Sequence, residues 1–342
     1  MRIKISIPGW SFADLSQFTG NRDGVLGSHQ YFVDESIKTA DAWFVVEDVP
    51  AGDQTCTVPS GQVHFLAAES SWSNHKFLNR NALNFLRQFP SIYSCHPIPL
   101  QQARYAPPFL PWMLNANHGS IFNPHWRDIN YLSAVHEVPK SKPLSMICSA
   151  QGWTDSHQLR LSFARYLKDY LGDDIDWFGN GIDEIPTKWD GLAKYERTIV
   201  LENRSDMGIY TEKILDPYLA MTQPIYWGAP DISKVLPVSK THSINIRDFH
   251  GAAKQISGIL ARGISTREAV DIEIGKNSVL TVLHFLNRIG KIADNHLGKG
   301  SSLPGTHVTL MPRSAIDYES EKAQKRPFSE IIKKVVGKIQ NI

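Results

Sequence analysis

The 342-residue chain is poor in most features that settle a class quickly. It has three cysteines, Cys56, Cys95 and Cys148, set far apart. Their spacing makes neither a metal-ligand set nor a disulfide framework, so they read as free thiols of a reducing compartment. No stretch approaches the ~20 apolar residues that cross a bilayer. The opening MRIKISIPGW breaks its apolar run with charge and with Pro8-Gly9, which is not the form of a secretory leader. A cytoplasmic protein is the expectation. Charge of one sign is lacking too: 36 Lys and Arg against 34 Asp and Glu leave a net +2. That argues against a nucleic-acid partner held mainly by charge. The phosphate-cradling patterns G-x-x-x-x-G-K-[ST] and G-x-G-x-x-G are missing, as is the zinc pattern H-E-x-x-H. No internal repeat or low-complexity tract is present.

What the chain does have is short apolar runs alternating with helical stretches. Its length favours two domains over one core. The first half offers strands at 2–7, 42–48, 62–68 and 91–95, with a helix at 75–89. Residues 96–143, rich in Pro, His, Asn and Trp, read as long loops, and VPKSKP at 138–143 as a linker. The second half predicts strands at 144–150, 175–179, 198–202, 224–228 and 243–246, and helices at 155–171, 187–195, 211–221 and 252–262. Such alternation implies a parallel sheet with helices on both faces, which binds ligands beyond the carboxyl ends of its strands. FGNGIDE at 178–184 reads as a turn after a strand.

Two strand–loop–helix units carry candidate chemistry. In RTIVLENRSDMGIYTEKILD, Asn203 closes a strand and Thr211 can cap a helix. A helix start offers partial positive charge and N–H groups to an anion. Lys213 adds a full charge where helix stability alone would disfavour it, and a bound diphosphate would offset this. Glu212 can accept bonds from ribose or sugar hydroxyls. An ordinary surface Glu-Lys pair is the competing reading. The second unit, SAQGWTDSHQLRLSF, brings His157 and Arg160 to the start of another helix. The planar fork of arginine suits diphosphate, and a helix-surface charge is the alternative. In a doubly wound sheet both loops open on one edge.

The segments KPLSMICSAQGWTDSHQLRLSFARYL, DIDWFGNGIDEIPTKWDGLAKYERTIVLEN and IYTEKILDPYLAMTQPIYWGAPDISKVLP resemble the α-1,3/1,4-fucosyltransferase family, its bacterial members in particular. The resemblance covers roughly 144–250 well and the first half weakly, through WFVVEDVP and VHFLAAES. It implies a GT-B fold: α/β, with two Rossmann-like domains facing a central cleft. It divides the chain into an acceptor-binding domain (1–140), a GDP-sugar-binding domain (141–300) and a C-terminal extension (301–342). The implied reaction is inverting transfer of L-fucose from GDP-β-L-fucose to a hydroxyl of an acceptor oligosaccharide or glycoconjugate, in α-1,3 or α-1,4 linkage. Arg160 and Lys213 match the positions that hold the diphosphate, and Glu212 and Asn203 those that help hold the donor; His157 and Tyr210 complete the implied donor set. Glu69, after the strand HFLAA, matches the acceptor-side base, which a single displacement requires. The family places its tyrosine two residues before the Thr. Here Ile209 stands there, and Tyr210 adjoins Thr211. Pro217 falls inside the predicted helix.

No metal ligand is assigned, and no divalent metal or other cofactor is expected to be essential. The sequence Asp174-Ile175-Asp176 has the D-x-D form but opens an apolar strand, so it reads as solvated strand start. Trp10, Trp72, Trp112 and Trp126 are candidates for stacking on sugar rings, with core packing as the competing role. The tail PFSEIIKKVVGKIQNI puts Phe328, Ile331, Ile332, Val335, Val336 and Ile339 on one helical face, with Lys333, Lys334 and Lys338 toward the other. This form suits peripheral contact with an anionic membrane and equally a helix docked on the protein itself. Another nucleotide sugar as donor, or a silent carbohydrate- or nucleotide-binding protein, stays open as an alternative function.

Overall fold

The computed structural model describes residues 1–33, 36–50, 52–68, 79–115, 127–152, 154–297 and 304–316. The apolar runs of the first half become β1 (Arg2–Ser6), β2 (Val25–Leu26), β3 (His29–Phe32), β4 (Ala42–Val46), β6 (Val63–Leu66), β7 (Ser91–Ser94) and β8 (Ala103–Tyr105), with β5 (Gln54–Pro59) outside this sheet. Their order is β2-β3-β1-β4-β6-β7-β8, parallel throughout except for the β2–β3 hairpin. β4, AWFVV, is buried along its whole length. A parallel strand covered on both faces requires such a run. Helix α1 (Ser16–Thr19) and helix α2 (Arg80–Leu86) belong to this half, and α3 (Ile129–Ala134) precedes the crossing to the second.

The second half is a four-stranded parallel sheet of β9 (Lys142–Ile147), β10 (Asp176–Phe178), β11 (Tyr195–Leu201) and β12 (Gln223–Trp227), ordered β10-β9-β11-β12. Its helices are α4 (Asp155–Leu171), α5 (Glu212–Leu219), α6 (Phe249–Leu260) and α7 (Thr266–Leu280). α4 covers the predicted span, because Thr154 caps it by accepting from the His157 N–H and Gly172 follows its last turn. α7 lies close over α5 at Gly275, where an added Cβ would overlap the Tyr218 ring.

The chain then returns to the first half. In α8 (Phe285–Leu297), Phe285, Leu286, Ile289 and Ala293 are buried in one cluster with Ile3, Tyr31 and Phe44. Tyr31 donates to the Leu286 carbonyl at 2.8 Å, and Arg288 donates to those of Pro107 and Pro108. β13 (Gly305–Leu310) pairs antiparallel with β5. The sequence division at 300 puts α8 with the second half, whereas these contacts are to the first.

The same apolar cluster runs on into the second half through Ile214, Tyr218 and Leu219 of α5. Tyr105, at the carboxyl end of β8, donates to the carbonyl of Met207, beyond the carboxyl end of β11. The carboxyl edges of two Rossmann-like sheets thus face each other, the GT-B arrangement expected from the sequence.

Several elements differ from expectation. The stretch 187–195 is no α-helix: Thr187 and Asp190 form a capping box around a single 3-10 turn, Lys188–Gly191, and β11 begins at Tyr195. Residues 243–246 make only a parallel bridge from Ser243 to Tyr226. The supposed linker ends inside β9, and the loop-rich stretch before it contains β8 and α3. Glu69, Trp72, Trp126 and the tail from 317 lie outside the described residues. No described helix is long and apolar enough to cross a membrane.

Candidate active site

In the second sheet the chain leaves β9 for β10 on one side, then crosses back to β11 on the other. Helices following β9 and β11 diverge there and leave a crevice beyond the strand ends. A cavity of about 430 Å³ fills this crevice. That volume lies within the ~300–1,000 Å³ usual for small-molecule sites. Cys148, Gly179 and Asn203 line it from the ends of three strands, His157 and Arg160 from α4, and Glu212 and Lys213 from α5. Five of the six predicted donor residues therefore converge on one cavity.

Arg160 is buried, and its Nη1 donates to the Leu201 carbonyl at 3.2 Å and to the Asn203 side chain. Its Nε has no partner among the described residues. A buried donor left unpaired costs about 1–3 kcal/mol, a cost that an anion in the cavity would remove. His157 Nδ1 is likewise without a partner among the described residues. Burial first, then the charges of Arg160 and Lys213, push the His157 pKa down. The imidazole is therefore neutral at neutral pH and offers a hydrogen bond, with no charge.

Thr211 caps α5 as expected, accepting from the Lys213 N–H at 3.4 Å. It is itself fixed by the buried Glu202 carboxylate, which accepts from the Thr211 N–H at 2.8 Å and from its hydroxyl at 2.7 Å. Burial pushes the Glu202 pKa up, although Lys213 and Thr211 work against this. Lys213 Nζ lies 3.2 Å from Glu212 Oε1 and 3.2 Å from Thr211 Oγ1. Pro217 lacks the N–H that would bond the Lys213 carbonyl, and α5 ends two residues later.

Tyr210 does not join this group. It is buried in the apolar cluster shared by the two halves and does not line the cavity. Burial pushes its pKa up. Trp112 is also buried in that cluster, and Trp10 packs on it, stacked at 5.6 Å on Phe18. Asp176 sits at the amino end of β10, away from the cavity, where Lys142 and the Tyr195 hydroxyl each hold it at 2.6 Å. The D-x-D is thus a strand start with its carboxylate engaged. Among the described residues no group of His, Cys, Asp and Glu could hold a metal ion.

Sequence reasoning missed Lys188 and Asp216, which also line the cavity. Lys188 reads as helix surface in a stretch taken for a helix. Asp216 carried a signal: it is the one acid between Ile214-Leu215 and Pro217-Tyr218-Leu219, and an acid set in so apolar a run needs a buried partner. Gly179 was legible as a turn but not as a wall. At φ 151° its Cβ would stand 2.5 Å from the Cys148 carbonyl oxygen, so only glycine lets the ends of β9 and β10 meet. Gly179→Ala is expected to cost about 1–3 kcal/mol of stability. A thermal midpoint equal to that of the wild type would contradict this close approach.

Two facing Rossmann-like halves, with a cavity at the switch point of the second, define an α/β fold of the GT-B class. No protein-family model matches the chain. Over 65 residues it is 35% identical to alpha-(1,3)-fucosyltransferase FucT of Helicobacter pylori, a match covering 19% of this chain and 13% of that protein. The expected resemblance is thus present over a segment spanning about an eighth of that curated relative. Among solved structures, an alpha1,3-fucosyltransferase with GDP-fucose aligns over 96% of this chain and 91% of its own, at 15% identity and a TM-score of 0.41. TarM of S. aureus aligns over 77% and 57%, at 7% identity and a TM-score of 0.42. With scores this low, the class rests on the strand order and the cavity.

Proposed function

We propose that the chain is an inverting glycosyltransferase that takes L-fucose from GDP-fucose and delivers it to a hydroxyl of an acceptor glycan. The observation that carries this reading is the convergence of Arg160, Lys213, Asn203, Glu212 and His157 on one cavity at the sheet's switch point. The 65-residue likeness to a fucosyltransferase supports fucose as the sugar. Arg160 and Lys213 would neutralise the diphosphate, and Asn203 and Glu212 would hold donor hydroxyls. As the leaving diphosphate gains charge, the two cations bind it more strongly than in the ground state, and this difference lowers the barrier. The acceptor hydroxyl would lose its proton to Glu69 as it attacks the anomeric carbon from the face opposite the diphosphate, with no covalent intermediate.

A screen of GDP-, UDP-, ADP- and CMP-sugars, read by nucleotide release with and without acceptor oligosaccharides, tests this. GDP-fucose is expected to give the highest turnover. Preferential turnover of another nucleotide sugar would keep the class and displace fucose, whereas binding without release would favour a silent binding protein.

A further inference from the structure

Four charged side chains meet at the foot of the cavity. Lys188 Nζ, from the 3-10 turn before β11, is 3.0 Å from Asp216 Oδ2 and 3.4 Å from Glu212 Oε1. Lys213 reaches the same Glu212 Oε1 at 3.2 Å. Asp216 is almost fully buried and also accepts the Met113 N–H of the first half at 2.8 Å. Glu212 is nearly as buried, whereas Lys213 keeps about a quarter of its side chain exposed at 28%. The quartet is neutral, two carboxylates against two ammonium groups.

This raises a difficulty for the functional reading. A lysine cannot bind a diphosphate well while it is the sole counter-charge of a buried carboxylate, because leaving would strand that charge. Lys188 removes the difficulty. We propose that Lys188 is a positioning residue: it supplies the standing counter-charge of Glu212 and Asp216, so that Lys213 can move from Glu212 to a nucleoside diphosphate. The inference rests on the functional reading above and adds an exchange of partners to it. Even with burial opposing the charge, Asp216 and Glu212 hold the Lys188 pKa above its usual value. Burial opposes charge on Glu212 as well, yet Lys213 and Lys188 bring its pKa down to about 2. Lys188 thus stays charged at the pH of any assay. In Asp216, burial prevails over Lys188 and, with the neighbouring Glu212, raises the pKa.

The test is a double-mutant cycle on the full chain, with GDP binding measured by titration calorimetry. Lys188→Met is expected to weaken GDP binding at least ten-fold, because Lys213 is then held by Glu212. In a Glu212→Gln background the same change is expected to alter GDP affinity by less than three-fold, since Glu212 then no longer holds Lys213 back. A ten-fold loss in both backgrounds would mean that Lys188 touches the nucleotide itself, and it overturns the proposal. So does GDP affinity in Lys188→Met equal to that of the wild type. If Lys188→Met does not fold alone, the Glu212→Gln background removes one carboxylate that it strands. GDP affinity equal to that of Glu212→Gln alone then supports the exchange, and a ten-fold loss overturns it. Absence of GDP binding by the wild-type chain removes the functional reading and this inference together.

Discussion

Arg160→Ala is expected to weaken GDP binding by roughly 30-fold to more than 1,000-fold. The range follows from about 2–5 kcal/mol for truncating one partner of a buried, hydrogen-bonded charge pair, at about 1.4 kcal/mol per factor of ten. Arg160 serves two sides at once. Its Nη1 ties α4 to the end of β11 through Leu201 and Asn203, while its Nε has no partner among the described residues. The alanine variant therefore loses stability as well, and a thermal midpoint measured beside the calorimetry separates the two losses. Arg160→Lys keeps the charge without the fork and is expected to fall between the two. An affinity unchanged from the wild type in a folded Arg160→Ala would remove the diphosphate assignment.

The second large effect is expected at Glu69. Glu69→Gln should lower the rate of transfer about 10²- to 10⁴-fold, the usual contribution of a positioned general base. GDP affinity should stay within about three-fold, because the proposed role is on the acceptor side and glutamine keeps size and polarity. This split between turnover and nucleotide binding distinguishes a base from a residue that merely supports the fold. Turnover like the wild type's would return the role to another carboxylate.

Legibility of the sequence followed the range of the interactions concerned. α4 could be read to the residue because its cap, its apolar spacing and its terminating glycine are all local. The parallel strands of the second half were legible as uninterrupted apolar runs, such as TIVL in β11. The stretch 187–195 misled because a capping box announces a helix start, while the chain needed Tyr195 onward for a central strand. The convergence of His157, Arg160, Asn203, Glu212 and Lys213 on one cavity was legible from two strand–loop–helix units, each complete within about fifteen residues. Lys188 was not, since its partners Glu212 and Asp216 stand 24 and 28 residues away and its own turn looked like helix surface. Tyr210 was assigned to the donor set by resemblance, and its side chain lies in the apolar cluster instead. The return of α8 and β13 to the first half depends on contacts more than 200 residues apart, such as Tyr31 with Leu286, 255 residues on.

That return has a consequence for synthesis. The second sheet and its helices, 142–280, lie between two portions of the first half. Emerging from a ribosome, the second half has all its strands and helices available while the first half still lacks α8 and β13. The strand β5 then waits with one edge open, and the face of the seven-stranded sheet that takes Phe285 and Ile289 stays wet. The half begun first is completed last, so a chain stopped near residue 280 would carry the second half's cavity complete beside an unfinished partner.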